Sequence, residues 1–229
     1  MGIETTIVAA LVGLSLASAS GFRVFLPPFI LSLAVRTDTL DTYIPDLSGT
    51  EFAIFDSNAA VLVLGIACLA EFGAYYVPWL DNILDTIATP AAVVSGVGMT
   101  SIALVGSDPI IQWSFAIIAG GGSAGVIQVA TVAIRGLSST ITLGFGNSFV
   151  ASGENIASVI LTFAALIAPL LAAIFAIFIV VLLVRQSIKI TGDKSVQGDQ
   201  EFLVTHIWFQ HFWNSNFSIF CLILFKNCY

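Results

Sequence analysis

Apolar residues in this chain come in long charge-free runs separated by short polar stretches. Crossing a hydrocarbon core takes a helix of about 20 apolar residues, and five stretches meet that need: 5–35, 57–77, 86–107, 109–134 and 155–184. The first and last are longer than one crossing requires, so each has to tilt, kink or contain a half-helix. Two connectors carry patterns of their own. In WLDNILDTI, residues 79–87, Trp79, Leu80, Ile83, Leu84 and Ile87 recur at helical spacing, while Asp81 and Asp85 fall i, i+4 on another face. That pattern predicts a short helix lying in the membrane interface. The connector GLSSTITLGFGNSFVASGEN, residues 136–155, is too polar and glycine-rich for a crossing yet has no charge before Glu154. Polar, flexible backbone is tolerated at membrane depth only where protein or water covers it. It therefore predicts a re-entrant segment in which residues 144–155, Asn147 and Glu154 among them, line a water-accessible space.

The expected fold is an all-α integral membrane protein with about five transmembrane helices, the first broken by prolines, plus the interfacial helix and the re-entrant segment. After Gly192 the character changes to FLVTHIWFQHFWNSNFSIFCLILF, aromatic-rich and holding both histidines. Residues 1–191 form the expected polytopic domain. Residues 192–229 read as a C-terminal extension, an interfacial anchor or a weak sixth crossing.

Composition supports lipid as the solvent. Hydrophobic residues make up 58% of the 229 positions and charged residues 9%, against about 25% charge in soluble domains, and the mean hydropathy is +1.01. The net charge of -7 comes largely from acids between the apolar runs, and the few scattered bases make no stripe to neutralise a phosphate backbone. Nucleic acid is excluded as a partner on that ground. The three cysteines show no CxxC and no metal-ligand spacing, and no metal or other cofactor is expected. The N-terminal run lacks a basic n-region and carries Glu4, so it reads as a first crossing rather than a cleaved signal. Arg36, Arg185, Lys189 and Lys194 fall on one side of a five-span topology and Arg135 on the other, which predicts an outside N-terminus and a cytoplasmic C-terminus.

Candidate chemistry begins in SASGFRVFLPPFILSLAVR, residues 18–36. Pro27 and Pro28 donate no backbone hydrogen bond, which frees the carbonyls of Arg23 and Val24 and breaks or kinks the helix. Gly21 permits close approach of a neighbouring helix or a bound group. Freed carbonyls and half-helix ends are what discontinuous transporter helices use to hold substrates and ions, so the interruption reads as a binding site near mid-membrane. The bland reading stands beside it: the first helix ends near Ser20, Arg23 sits at the headgroups, and the prolines open a second short helix. Glu71 favours the buried break, because charges inside crossings are rare and face a partner or cavity. Arg23 and Glu71 are expected to pair. The glycines at 96, 98 and 120–125 read as helix-packing surfaces, since no GK[ST] follows them. SASG at 18–21 and GSAG at 122–125 each lead to an arginine and later a glutamate, a faint sign of an internal repeat with unequal spacings. HExxH and GxSxG are absent, and no enzymatic activity is expected.

GFRVFLPPF (21–29), AEFGAYYVPWLDNILDTIATP (70–90) and STITLGFGNSFVASGEN (139–155), in that order ahead of a final long span, resemble an uncharacterised domain-of-unknown-function family of small polytopic bacterial membrane proteins. The resemblance covers about residues 5–186. It implies a helical protein of the inner or plasma membrane and supplies no activity. The functional expectation from the residues is a transporter or channel-like protein for an unidentified small solute or ion. Gly21, Arg23, Pro27, Pro28, Glu71, Asp81, Asp85, Asn147 and Glu154 are its pathway candidates. A membrane scaffold or assembly factor that moves nothing is the alternative. The expected partners are the lipid bilayer, the solute or ion, and a second copy of the chain.

Overall fold

The computed structural model describes residues 2–37, 46–74, 78–142 and 146–194, with the side chains of 78–86, 139–141 and 186–194 outside that description. The described residues are helical, with no strand among them. The helices are α1 (Ile3–Phe22), α2 (Leu26–Arg36), α3 (Asn58–Ala74), α4 (Pro78–Ala103), α5 (Pro109–Phe115), α6 (Gly122–Thr142), α7 (Asn147–Ile167) and α8 (Pro169–Lys194). A 3-10 turn, Ala53–Asp56, precedes α3, and π-helical turns, Ala116–Gly121, join α5 to α6 without interruption. Met1–Leu183 is one compact unit and Val184–Tyr229 a second. Ile3–Phe22, Pro109–Ser138 and Asn147–Ile167 are long and apolar enough to cross a membrane.

Helix α1 is the hub, packing on α4, α6 and α7. Small residues make this possible: Ala9, Gly13, Ala17 and Gly21 repeat every fourth position and are all buried, the spacing that lets helix backbones approach closely in lipid. A Cβ added at Gly13 would lie 2.9 Å from the Thr100 Cα, and one at Gly21 would lie 2.7 Å from the Ala124 carbonyl oxygen. The Thr100 hydroxyl donates to the Gly13 carbonyl at 3.1 Å across the same contact. Helix α4 meets the π-helical turns in the same way, since a Cβ at Gly96 would be 2.7 Å from the Gly120 oxygen. Gly98, by contrast, faces nothing within 4 Å.

Two expectations change. Residues 79–87 are not a separate interfacial helix but the opening turns of α4, which runs 26 residues through Pro90. The Asp81 and Asp85 side chains lie outside the described residues. The 136–155 connector is not an irregular re-entrant segment either, because α6 continues to Thr142 and α7 starts at Asn147. Its hydroxyls bond back along their own helices, Thr142 to the Ser138 carbonyl and Ser152 to the Ser148 carbonyl, both at 2.7–2.8 Å. Such i−4 bonds let polar residues sit in a helix. The run 155–184, whose length called for a tilt, kink or half-helix, divides at Ala168, where Pro169 in the first turn of α8 cannot continue α7.

The expected break of the first segment is present, and its position explains the prolines. Helix α1 stops at Phe22, Arg23 is extended (φ -141°, ψ 118°), and Pro27 and Pro28 occupy the first turn of α2. Their missing N–H groups are among those a helix start leaves unpaired in any case. The second, bland reading was right about the prolines, and Arg23 is buried inside the protein, 0% exposed.

Candidate site where the first helix breaks

The residues between α1 and α2 leave several polar backbone groups inside the protein, and side chains from two other helices satisfy them. The amides of Val24 and Phe25 donate to the two carboxylate oxygens of Glu71 on α3, at 2.7 and 3.0 Å. Glu71 thus does from a distance what a local N-cap side chain does elsewhere, and a negative charge at the start of α2 suits the helix dipole. The Val24 carbonyl accepts from the Ser95 hydroxyl of α4 at 3.0 Å, and the Ser20 hydroxyl lies 3.1 Å from that of Ser95.

Arg23 turns the other way, toward α7. Its Nη1 lies 3.1 Å from Glu154 Oε2, its Nη2 donates to the Ala151 carbonyl at 3.0 Å, and its Nε donates to Asn155 Oδ1. Arg135 of α6 reaches the same Glu154 oxygen at 2.9 Å. The expected Arg23–Glu71 ion pair is therefore corrected: Glu154 is the carboxylate partner of Arg23, and Glu71 binds the backbone beside it. The reason is directional. The extended backbone at Arg23 aims its two following amides at α3 and its side chain at α7. Ser158 continues the α7 contact by donating to the Ala19 carbonyl at 3.0 Å.

Arg23, Glu71, Arg135 and Glu154 are 0–5% exposed, so ionisable groups from the α1–α2 break, α3, α6 and α7 are buried around one point. Charges in such a setting are costly unless paired and hydrogen-bonded. Pairing here is shared, with one carboxylate oxygen between two guanidiniums. Gly21 belongs to the site by allowing α6 against the break. Asn147 is half-buried in the first turn of α7, two turns before Glu154.

Arg135 and Asn155 were not among the sequence candidates. Arg135 ends an apolar run and looked like a flanking charge. A signal existed: Gln128, Thr131 and Arg135 follow one another at helical spacing on α6 and are all buried, as are Glu154, Ser158 and Thr162 on α7. A polar stripe on each of two apolar helices implies that they face each other or a common partner. Elsewhere, an apolar cleft of about 320 Å³ lies between α1, the π-helical turns and α8, bordered by Ser18, Ile118, Ser123 and Val181. It contains no charged group.

A family profile described as a domain of unknown function, DUF4126, matches residues 10–189. The chain belongs to that family. The matched region spans the whole charge cluster, from Arg23 to Asn155. No curated protein and no solved structure matches the chain.

Proposed function

We propose that this DUF4126 protein is a multi-pass protein of a bacterial inner or plasma membrane, with about five crossings, that moves a small solute or ion. The observation that carries the reading is the convergence of Arg23, Glu71, Arg135 and Glu154 on a helix break inside an otherwise apolar bundle. Well-packed apolar residues serve stability as well as a buried ion pair does, or better. Four charges at membrane depth are therefore expensive for a purely structural role, and intramembrane charges mark pathways and proton relays. A discontinuous helix with its backbone groups turned toward those charges is the arrangement transporters use at their binding sites. In this reading the described state is closed, with Glu71 and Glu154 filling the site.

A scaffold that moves nothing is favoured by one specific observation, the near-complete burial of all four groups within tight glycine-mediated helix contacts. Flux decides between the two. Purified protein in proteoliposomes is to be tested with chloride, nitrate, phosphate, sodium and potassium, beside Arg23→Gln. Transport predicts flux of at least one of these in the wild type and its loss in a variant that remains monodisperse. Wild-type vesicles no more permeable than empty ones, with the variant merely less stable, would leave the scaffold.

A further inference from the structure

We infer that the cleft between α1, the π-helical turns and α8 is a binding site for a neutral apolar alcohol, a molecule of the membrane with one hydroxyl on a hydrocarbon body, held by hydrogen bonds to Ser18 and Ser123. The inference uses none of the four buried charges and stands apart from the transport reading. It starts from a contrast among the serines of α1. In lipid no water relieves a buried hydroxyl, so each needs a partner in the protein or in a ligand. Ser15 and Ser20 meet this need locally, donating to the carbonyls of Leu11 and Leu16 at 2.7 and 3.1 Å. Ser18 is 0% exposed, yet its hydroxyl has no hydrogen-bond partner among the described residues. Of the three, it is Ser18 that borders the cleft.

The cleft has a mouth and a floor. Ile118, Gly122, Ile177 and Val181 at its border are exposed, while Ser18 and Ser123 are buried. Its depth disfavours a charged ligand. Residues 118–126 lie in the middle of Pro109–Ser138, a 30-residue stretch long and apolar enough to cross a membrane, and a charge at that depth is costly. The volume, about 320 Å³, is at the small end of ligand pockets, which run roughly 300–1,000 Å³. The two serines select the functional group. The Ser123 hydroxyl already donates to the Gly120 carbonyl at 3.0 Å, so toward a ligand it can only accept. Ser18 still has its proton to give. An alcohol oxygen accepts from Ser18 and donates to Ser123, whereas a ketone, ester or ether can only accept. The wall itself is unusual: the π-helical turns Ala116–Gly121 contribute Ile118 and Ala119 to it, and π-helical turns recur at functional sites. Gly122 shows that the wall leaves room, since a Cβ added there meets no atom of the described residues within 4 Å.

The probe is decanol carrying a photoreactive diazirine near its tail. The full chain in lipid nanodiscs is to be titrated with it, illuminated, digested and mapped by mass spectrometry. Labelling within residues 118–126 and 176–181 is expected to saturate, and plain decanol is expected to displace the probe where decane and decyl methyl ether do not. Ser18→Ala removes only the donor, and its half-saturation is expected to be about fivefold weaker, the worth of one hydrogen bond. Because it also deletes a buried hydroxyl with no protein partner, this variant should melt no lower than the wild type in the absence of probe. Gly122→Leu fills the cleft at a helical position where leucine is the better helix former, and it is expected to abolish saturable labelling. If Gly122→Leu is not monodisperse, Ser18→Ala decides alone. Labelling that only rises in proportion to probe, displacement by decane or the ether as readily as by decanol, or equal half-saturation in wild type and Ser18→Ala would overturn the inference.

Discussion

Glu71 and Glu154 are buried glutamates on either side of the same broken helix, and they hold it by unlike means. On the α3 side, a carboxylate caps backbone: its oxygens accept the Val24 and Phe25 amides. On the α7 side, a carboxylate neutralises side chains, with Arg23 and Arg135 on one oxygen. The residue type is the same and the burial is nearly the same, 4% and 5% exposed. What differs is whether the partner carries charge. That difference puts an ion-paired carboxylate on one side of the break and a backbone cap on the other.

Removing the ion-paired carboxylate should have the largest effect. Glu154→Leu leaves both guanidiniums buried without their shared carboxylate, and breaking a buried ion pair by deleting one partner costs about 3–5 kcal/mol. Thermal melting in detergent should show a large drop or loss of the folded protein, and a drop no larger than that of Glu71→Gln would erase the asymmetry. Glu71→Gln should cost less. Glutamine keeps one acceptor for two amide donors, so one buried N–H goes unpaired at about 1–3 kcal/mol, and the variant should still fold.

These assignments show what was legible in the sequence. Pro27, Pro28 and Arg23 located the break correctly because proline acts through covalent geometry, which depends on no other part of the chain. Glu71 stood out because a charge in an apolar run is conspicuous wherever it points, and Glu154 because it is the first charge in an otherwise uncharged polar connector. Their partners did not stand out, because pairing is set by the direction of three residues at the break and by which helices α1 touches. The glycines at 96 and 120 could be read as packing surfaces, but not as facing one another, and Gly98 carries the same signal while meeting nothing. The 136–155 stretch was expected to be irregular because composition was taken for conformation. Thr142 and Ser152 bond back within their own helices, so α6 to Thr142 and α7 from Asn147 stay regular while carrying polar residues. Pro169 was visible and split a run of apolar residues that hydropathy alone had joined.

The smallest expected effect provides a baseline for the two buried carboxylates. Asp46, fully exposed in the loop before α3, accepts the Ser48 amide at 2.8 Å, and the Ser48 amide and hydroxyl hold its carboxyl below the ordinary carboxylate range. A lowered folded-state value contributes stability above the unfolded value, near pH 4 as a rough figure, and that contribution disappears as pH falls through the folded value. Wild type and Asp46→Asn should thus differ slightly at neutral pH and converge in acid. A difference that grows in acid would contradict the sign.

The central claim is that Arg23 belongs to Glu154 and not to Glu71. Two double-mutant cycles measured as thermal stability in one detergent test it, Arg23→Leu with Glu154→Leu and Arg23→Leu with Glu71→Leu. Contacting residues show coupling of about 0.5–3 kcal/mol. The account predicts that the Glu154 cycle falls in the upper part of that range, with the double variant costing much less than the sum of its parts, and that the Glu71 cycle shows the smaller coupling. An additive Glu154 cycle, or a larger coupling to Glu71, would contradict it.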